Sequence, residues 1–281
     1  MNHIENGIVA AADAQSLGGK APEYYLQPRN LLDNSYFRNP VNQRGATSYS
    51  GNVYTIDRWR LNANTLNVGS DGITLVAGDS SSAVLTQYTS GLRDGVYTQA
   101  LNVNGTIYTR MIQLSGSTIT TLDASNAAYT GGYVSCTVSG SGYFSFQIRA
   151  NAGYSITVRW AALYEGSYTA DTLPPYFPKG YAAELAECQR YARIRNVDNY
   201  EIAILGAEKV FAIEHPGMRI GPTVQVINPL TNAVGNIASY SSGGEFQAVI
   251  MAITKDRTII KVESGTPGNT YIYAYNINAD M

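Results

Sequence analysis

Charge is scarce in this chain. Asp, Glu, Lys and Arg make up 14% of its 281 residues, against about 25% in an average globular domain. The net charge is −2, with no basic run and no acidic tail, which argues against nucleic acid as a partner. No apolar stretch approaches the roughly 20 residues that cross a bilayer, so no membrane insertion is expected. The apolar piece near the N-terminus is short and Glu5 lies close to it. No signal peptide is therefore expected, and the chain reads as made in a cytoplasm. Cysteine is equally sparse. Cys136 and Cys188 fall in different predicted domains, so two free thiols are expected rather than a disulfide framework.

The reagents of common catalysis are missing too. There are two histidines, His3 and His215, and no GxSxG elbow for a nucleophile. No Cys/His cluster has zinc spacing, and no phosphate-binding glycine loop follows a strand. A glycosidase would need two carboxylates on one cleft. Asp57, Asp71, Asp94, Glu165 and Glu245 are available, but scattered carboxylates in a β protein read as solvated turn residues. The expectation is a non-enzymatic protein with no catalytic residues, no metal and no cofactor, a loop-bound calcium ion being left open.

What remains is a palette of Gly, Ser, Thr, Asn and Tyr. Tyr, at 22 residues, far outnumbers Phe at 6 and Trp at 2. Tyr pairs an apolar ring with a hydroxyl that tolerates water, which suits strands and contact surfaces. Hydrophobic residues at 44% suffice for a packed core.

Three parts follow from patterning. Residues 1–29, with Gly18-Gly19 and Pro22, hold too few apolar residues to fold alone. Residues 30–178 read as a sandwich. Val96 to Val103 and Thr106 to Leu114 flank Asn104-Gly105, a strong hairpin signal. Phe144, Phe146 and Ile148 alternate. So do Tyr154, Ile156, Val158, Trp160 and Ala162, read as one buried face opposite Ser155, Thr157 and Arg159. Pro174, Pro175 and Pro178 then break the pattern. Residues 179–281 read as a helix, Tyr181 to about Ile194, and a smaller β domain. Tyr181, Leu185, Cys188 and Ala192 share the helix's apolar stripe, with Glu184 and Glu187 early and Arg190 and Arg193 late. The fold class is thus mainly β: a jelly-roll β-sandwich followed by a helix and a smaller C-terminal β domain.

Within Asn30 to Trp59, the closing Asp57-Arg58-Trp59 is read structurally. Trp59 belongs to the core, and Asp57 with Arg58 holds the incoming strand; a sugar-stacking Trp59 is the rival reading. Tyr271, Tyr273 and Tyr275 share one face of the last strand, either buried or displayed. Candidate ligand-binding residues are Tyr240, Glu245 and Phe246 in the C-terminal domain, with Tyr49 and Tyr54 on the sandwich.

Three stretches carry a resemblance. Asp13 to Tyr25 (DAQSLGGKAPEYY), Asn30 to Trp59 (NLLDNSYFRNPVNQRG…YTIDRW) and Ala161 to Tyr191, closing on YAAELAECQRY, resemble bacteriophage tail-fibre or receptor-binding structural proteins with a carbohydrate-binding-module-like jelly roll. His215 to Val224 (HPGMRIGPTV) departs from the related C-terminal pattern by Gly217, between Pro216 and Met218. The resemblance implies a virion protein, a homotrimer that attaches to other virion proteins through residues 1–29 and recognises a host cell-surface glycan. A purely structural head fibre, decoration or baseplate protein is the alternative. A surface-polysaccharide hydrolase ranks lower, because no repeat of 20–50 residues marks the solenoid usual in such enzymes.

Overall fold

The computed structural model describes residues 28–123, 128–139, 142–195, 200–205, 207–215, 217–218 and 220–279. The expected attachment segment, save residues 28 and 29, and His3 lie outside them. The N-terminal unit runs through β1 (Ser48–Ser50), β2 (Val53–Tyr54), β3 (Arg60–Leu61), β4 (Thr65–Gly69), β5 (Gly72–Val76), β6 (Ala83–Thr89), β7 (Gly95–Val103), β8 (Thr106–Ser115), β9 (Thr118–Asp123), β10 (Ala128–Tyr129), β11 (Gly132–Val138), β12 (Phe144–Ala150) and β13 (Ser155–Glu165). Two antiparallel sheets face each other. One has the order β1-β4-β5-β13-β7-β8-β9, the other β10-β11-β12-β6-β3-β2. The chain is mainly β, and this unit is a β-sandwich.

Local signals place these strands. Asn104 and Gly105 both take positive φ, 51° and 92°, so a two-residue turn joins β7 to β8 with the twist the strands require. Phe144, Phe146 and Ile148 point into the core, as their alternation predicts. Trp59 is fully buried. Its ring meets Phe37 edge-on at 5.2 Å and Phe146 at 6.2 Å, and its Nε1–H donates to the Asn34 carbonyl at 2.9 Å. It is core, and no sugar can stack on it.

The long strand β13 departs from simple alternation. A bulge falls between Val158 and Trp160, and the extra residue reverses which side chains point inward. Ile156 and Val158 face the sandwich core, but beyond the bulge Ala161 and Leu163 do so. Trp160, Ala162 and Tyr164 instead form a separate cluster with Ala100 and Leu173. Tyr176 stacks on Trp160 at 4.7 Å and 11°, so the proline-rich segment folds back as the cover of that outer face. Gly72 makes room at the bulge: a Cβ there would lie 2.3 Å from the Val158 carbonyl oxygen. Beyond the bulge the lead-in takes over the sheet edge. Leu31, Phe37 and Ala161 amides donate to Leu163, Arg159 and Ser35 carbonyls respectively.

The helix, α1 (Tyr181–Cys188), is shorter than its periodicity suggests. Ala192, expected on the helical stripe, begins a strand instead, β14 (Ala192–Arg195). The chain leaves the helix at Gln189, because Ala192–Arg195 finds backbone partners on the last strand. Tyr181 is exposed, whereas Glu184 is buried. The rest is a C-terminal sheet of β15 (Glu201–Ile204), β16 (Val210–Glu214), β17 (Thr223–Ile227), β18 (Asn236–Ser239), β19 (Glu245–Ile253), β20 (Arg257–Val262) and β21 (Thr270–Asn278). Central β21 pairs with β14, β15, β17 and β18. Tyr271, Tyr273 and Tyr275 lie inside this unit's own core, with Phe211 4.6 Å from Tyr273 and Phe246 edge-on to Tyr271 at 5.1 Å. The tyrosine row is therefore interior packing and not a display surface. Cys136 and Cys188 are both free thiols.

Candidate functional site

The stretch from Asn30 to Trp59 builds a joint. Asn30 donates to Ala161 O and accepts from the Leu163 amide. Asn34 donates to the Val41 and Asp57 carbonyls at 2.8 and 2.7 Å. Asp57, itself buried, accepts from Gln43 Nε2 at 2.6 Å and pairs with Arg44 at 3.2 Å. Gln43 then reaches the C-terminal unit: its Nε2 donates to Ala192 O at 2.7 Å and its Oε1 accepts from the Ile194 amide. Arg58 pairs with Asp33, donates to the Tyr88 carbonyl at 2.8 Å and lies over the Tyr191 ring at 3.4 Å. Buried polar groups need such partners. The side chains that distinguish this stretch thus meet their hydrogen-bonding needs inside the protein, tying sandwich, helix and C-terminal sheet together.

Acidic residues gather under the helix. Asp33, Glu184 and Glu187 bring carboxylate oxygens within 4.8 Å of one another, a spacing that could hold a cation. The Lys179 ammonium already supplies that charge, 3.7 Å from Asp33, 3.9 Å from Glu184 and paired with Glu187. Burial raises the Glu184 carboxyl above its usual range, against the opposing pull of the Asn34 amide and Lys179. The Asn34 amide reaches Glu184 Oε1 at 2.5 Å. For Lys179, burial acts downward, but Glu187, Glu184 and Asp33 outweigh it and its value rises.

Above this joint lies a cleft of about 250 Å³ between the Thr89–Leu92 turn and the end of α1. Arg29, Ser90, Glu187, Arg190 and Tyr191 contribute to its walls. A smaller recess adjoins it, lined by Tyr54, Arg58, Tyr88 and Tyr143 and sharing Thr89, Ser90 and Tyr191. Tyrosine rings, guanidinium groups and small hydroxyls thus meet on one edge of the sandwich.

The five candidate residues separate into two groups. Tyr240, Glu245 and Phe246 sit on one hairpin between β18 and β19. Tyr240 is exposed, Glu245 accepts from Asn236 Nδ2 at 2.6 Å, and Phe246 packs inward on Tyr271. Phe246 is accordingly a packing residue at the core's rim. Tyr49 is half-buried and donates to Asn42 Oδ1 at 2.5 Å. Burial raises its hydroxyl's value, partly offset by Asn42. Tyr54 lies under Arg44 and lines the recess. His215 is buried beside Thr258, 3.3 Å from its hydroxyl.

The carboxylates weighed from the sequence for a glycosidase are dispersed. Asp71 is exposed and held below the usual range by Arg159 and Arg38, Asp94 accepts from the Gly116 amide, and Glu165 ends β13. Sequence reasoning passed over Arg29, Arg190 and Ser90 as site residues. Arg190 and Tyr191 close the helix stretch YAAELAECQRY, and that adjacency was the available signal. No family model, curated protein or solved structure matches this chain.

Proposed function

We propose that this chain is a non-enzymatic structural protein of a phage or phage-like particle, a tail fibre or receptor-binding protein that recognises host surface glycans. The observation that carries the reading is the joint. Asn30, Asn34, Gln43, Asp57 and Arg58 are committed to holding two β units and a helix in register, as a rigid display scaffold requires. Asp57, Asp71, Asp94 and Glu165 are separated among different partners and strands, and the three carboxylates that do lie together, Asp33, Glu184 and Glu187, are held by Lys179, which supports a binding role over hydrolysis.

A homotrimer fits the C-terminal sheet. Ile202 and Ile204 point outward from β15, and Met251 is exposed on β19. Cyclic association would cover such side chains with one repeated contact, and three copies would multiply weak glycan contacts. Residues 1–29 would be the attachment piece to other virion proteins, and the finished protein would reside in the virion. The test is binding of the purified protein to host cells and to a host glycan array, beside adsorption of particles that lack it. Binding together with lost adsorption supports the reading. Normal adsorption without the protein, and no binding by it, favours a head, decoration or baseplate component instead.

A further inference from the structure

We propose that the cleft between the Thr89–Leu92 turn and the end of α1 binds an anionic sugar, a pyranose carrying a carboxylate. The inference rests on the glycan-binding reading above and assigns it a place and a ligand class. Four observations converge on it.

The first is charge. Among the described residues, the guanidinium groups of Arg29 and Arg190 have neither an ion pair nor a hydrogen bond, and both line the cleft. The three carboxylates there, Asp33, Glu184 and Glu187, are engaged by two cations, Arg58 and Lys179, and Arg29 and Arg190 bring the balance to four positive groups against three negative. A chain of net charge −2 therefore carries a locally cationic cleft. Guanidinium forks match a carboxylate in shape and charge.

The second is the ring. Tyr191 lines both the cleft and the neighbouring recess, and Arg58 holds it in place from one side. An aromatic side chain held in this way offers an apolar surface to the C–H groups of a pyranose at small entropic cost. A bare inorganic anion would make no use of it.

The third is the hydroxyl inventory. Ser90 is exposed, and its hydroxyl has no partner among the described residues. It can both donate to and accept from a sugar hydroxyl. The fourth is size. About 250 Å³ lies just under the ~300–1,000 Å³ of ordinary small-molecule sites, which suits one or two sugar units.

The experiment is calorimetric titration of the full chain with a glucuronosyl-glucose disaccharide. Cellobiose, inorganic phosphate and a triglutamate peptide are the comparison probes. The same series is run on Arg29→Gln/Arg190→Gln, whose thermal melt reports folding. The uronate disaccharide is expected to bind, more weakly as salt rises. Cellobiose and the double variant should each bind at least about tenfold less. Absence of uronate binding overturns the inference, as does equal binding of cellobiose. Phosphate or triglutamate binding as well as the uronate overturns it too, since each marks a general anion site. Equal binding by wild type and a folded double variant removes the two arginines and the inference with them. Host-cell binding by both proteins alike would leave the display reading intact while the cleft assignment falls. Uronate binding without any cell binding would do the reverse.

Discussion

The guanidinium carbon of Arg58 lies 3.4 Å from the centre of the Tyr191 ring, and this contact fastens the sandwich to the segment leaving α1. The same group pairs with Asp33 and donates to the Tyr88 carbonyl. A desolvated cation over an aromatic ring contributes about 2 kcal/mol. Arg58 also has a left-handed backbone, φ 72°, which costs a side-chain-bearing residue about 1–2 kcal/mol. Arg58→Ala should therefore lower stability by about 3 kcal/mol. Arg58→Gly loses the same contacts but relieves the backbone, and should be milder by about 1 kcal/mol. Urea denaturation of the two variants checks both statements. Equal losses would refute the strain argument, and a loss near zero would refute the fastening.

Glu184 gives the joint a pH dependence. Burial raises its folded-state pKa above the unfolded value, against Asn34 and Lys179, with Asp33 and Glu187 adding to the rise. The folded state therefore binds a proton at a pH where the unfolded state does not, and stability falls as pH rises through that window. The window opens at the ordinary carboxylate value and closes at the raised one. Above it the cost is fully present; below it the cost is gone. Glu184→Gln keeps an oxygen to accept from the Asn34 amide and removes the charge. The wild type should gain stability on acidification just above the ordinary carboxylate range, and Glu184→Gln should not. Parallel stability–pH curves would contradict this account.

The sequence exposed the sandwich through its short-range signals and concealed the joint. Asn104-Gly105, the Phe144/Phe146/Ile148 alternation and the proline break each state a local preference that the fold obeys. The reversal at Trp160 was not legible, because a bulge changes parity without changing composition. The end of α1 was not legible either. Ala192 satisfies a helical stripe and a strand equally, and only the distant β21 decides between them. The candidate cleft combines Arg29, Ser90 and Arg190, three residues far apart in sequence, so no spacing rule could gather them. Tyr54, a candidate from the sequence, lines the adjoining recess and not the cleft itself.

Gly72 is a position where no side chain fits. Its φ is 139°, and a Cβ would stand 2.3 Å from the Val158 carbonyl oxygen and 2.9 Å from its carbon. Both obstacles are backbone, at the bulge that turns Trp160 outward. Gly72→Ala must push β5 from β13 or dissolve the bulge, at a cost of about 2–3 kcal/mol. Chemical denaturation should show that loss. Trp160 fluorescence should shift as its stacking on Tyr176 loosens. Gly51 also has a left-handed φ, 84°, but nothing lies within 4 Å of a Cβ there. Gly51→Ala should therefore be the milder change. Equal effects would mean that close approach is not what selects glycine at position 72.

Tyr240 separates the two possible binding faces. Its side chain is 60% exposed, while its amide donates to Thr270 O and does not depend on the ring. Tyr240→Ala should thus change stability by less than about 0.5 kcal/mol, so any loss of cell binding reports contact rather than unfolding. If the β18–β19 hairpin meets the host, this variant loses cell binding and Arg29→Gln/Arg190→Gln retains it. If the cleft beside α1 is the contact, the pattern reverses. Three copies would amplify either loss, because avidity scales with the product of weak contacts. A several-fold drop for one isolated protomer should grow to tenfold or more on the assembled protein. Tyr240→Ala binding cells as well as the wild type would remove Tyr240 and its hairpin from the recognition surface. Glu245, already engaged by Asn236, and Phe246, packed on Tyr271, would then be left with structural roles alone.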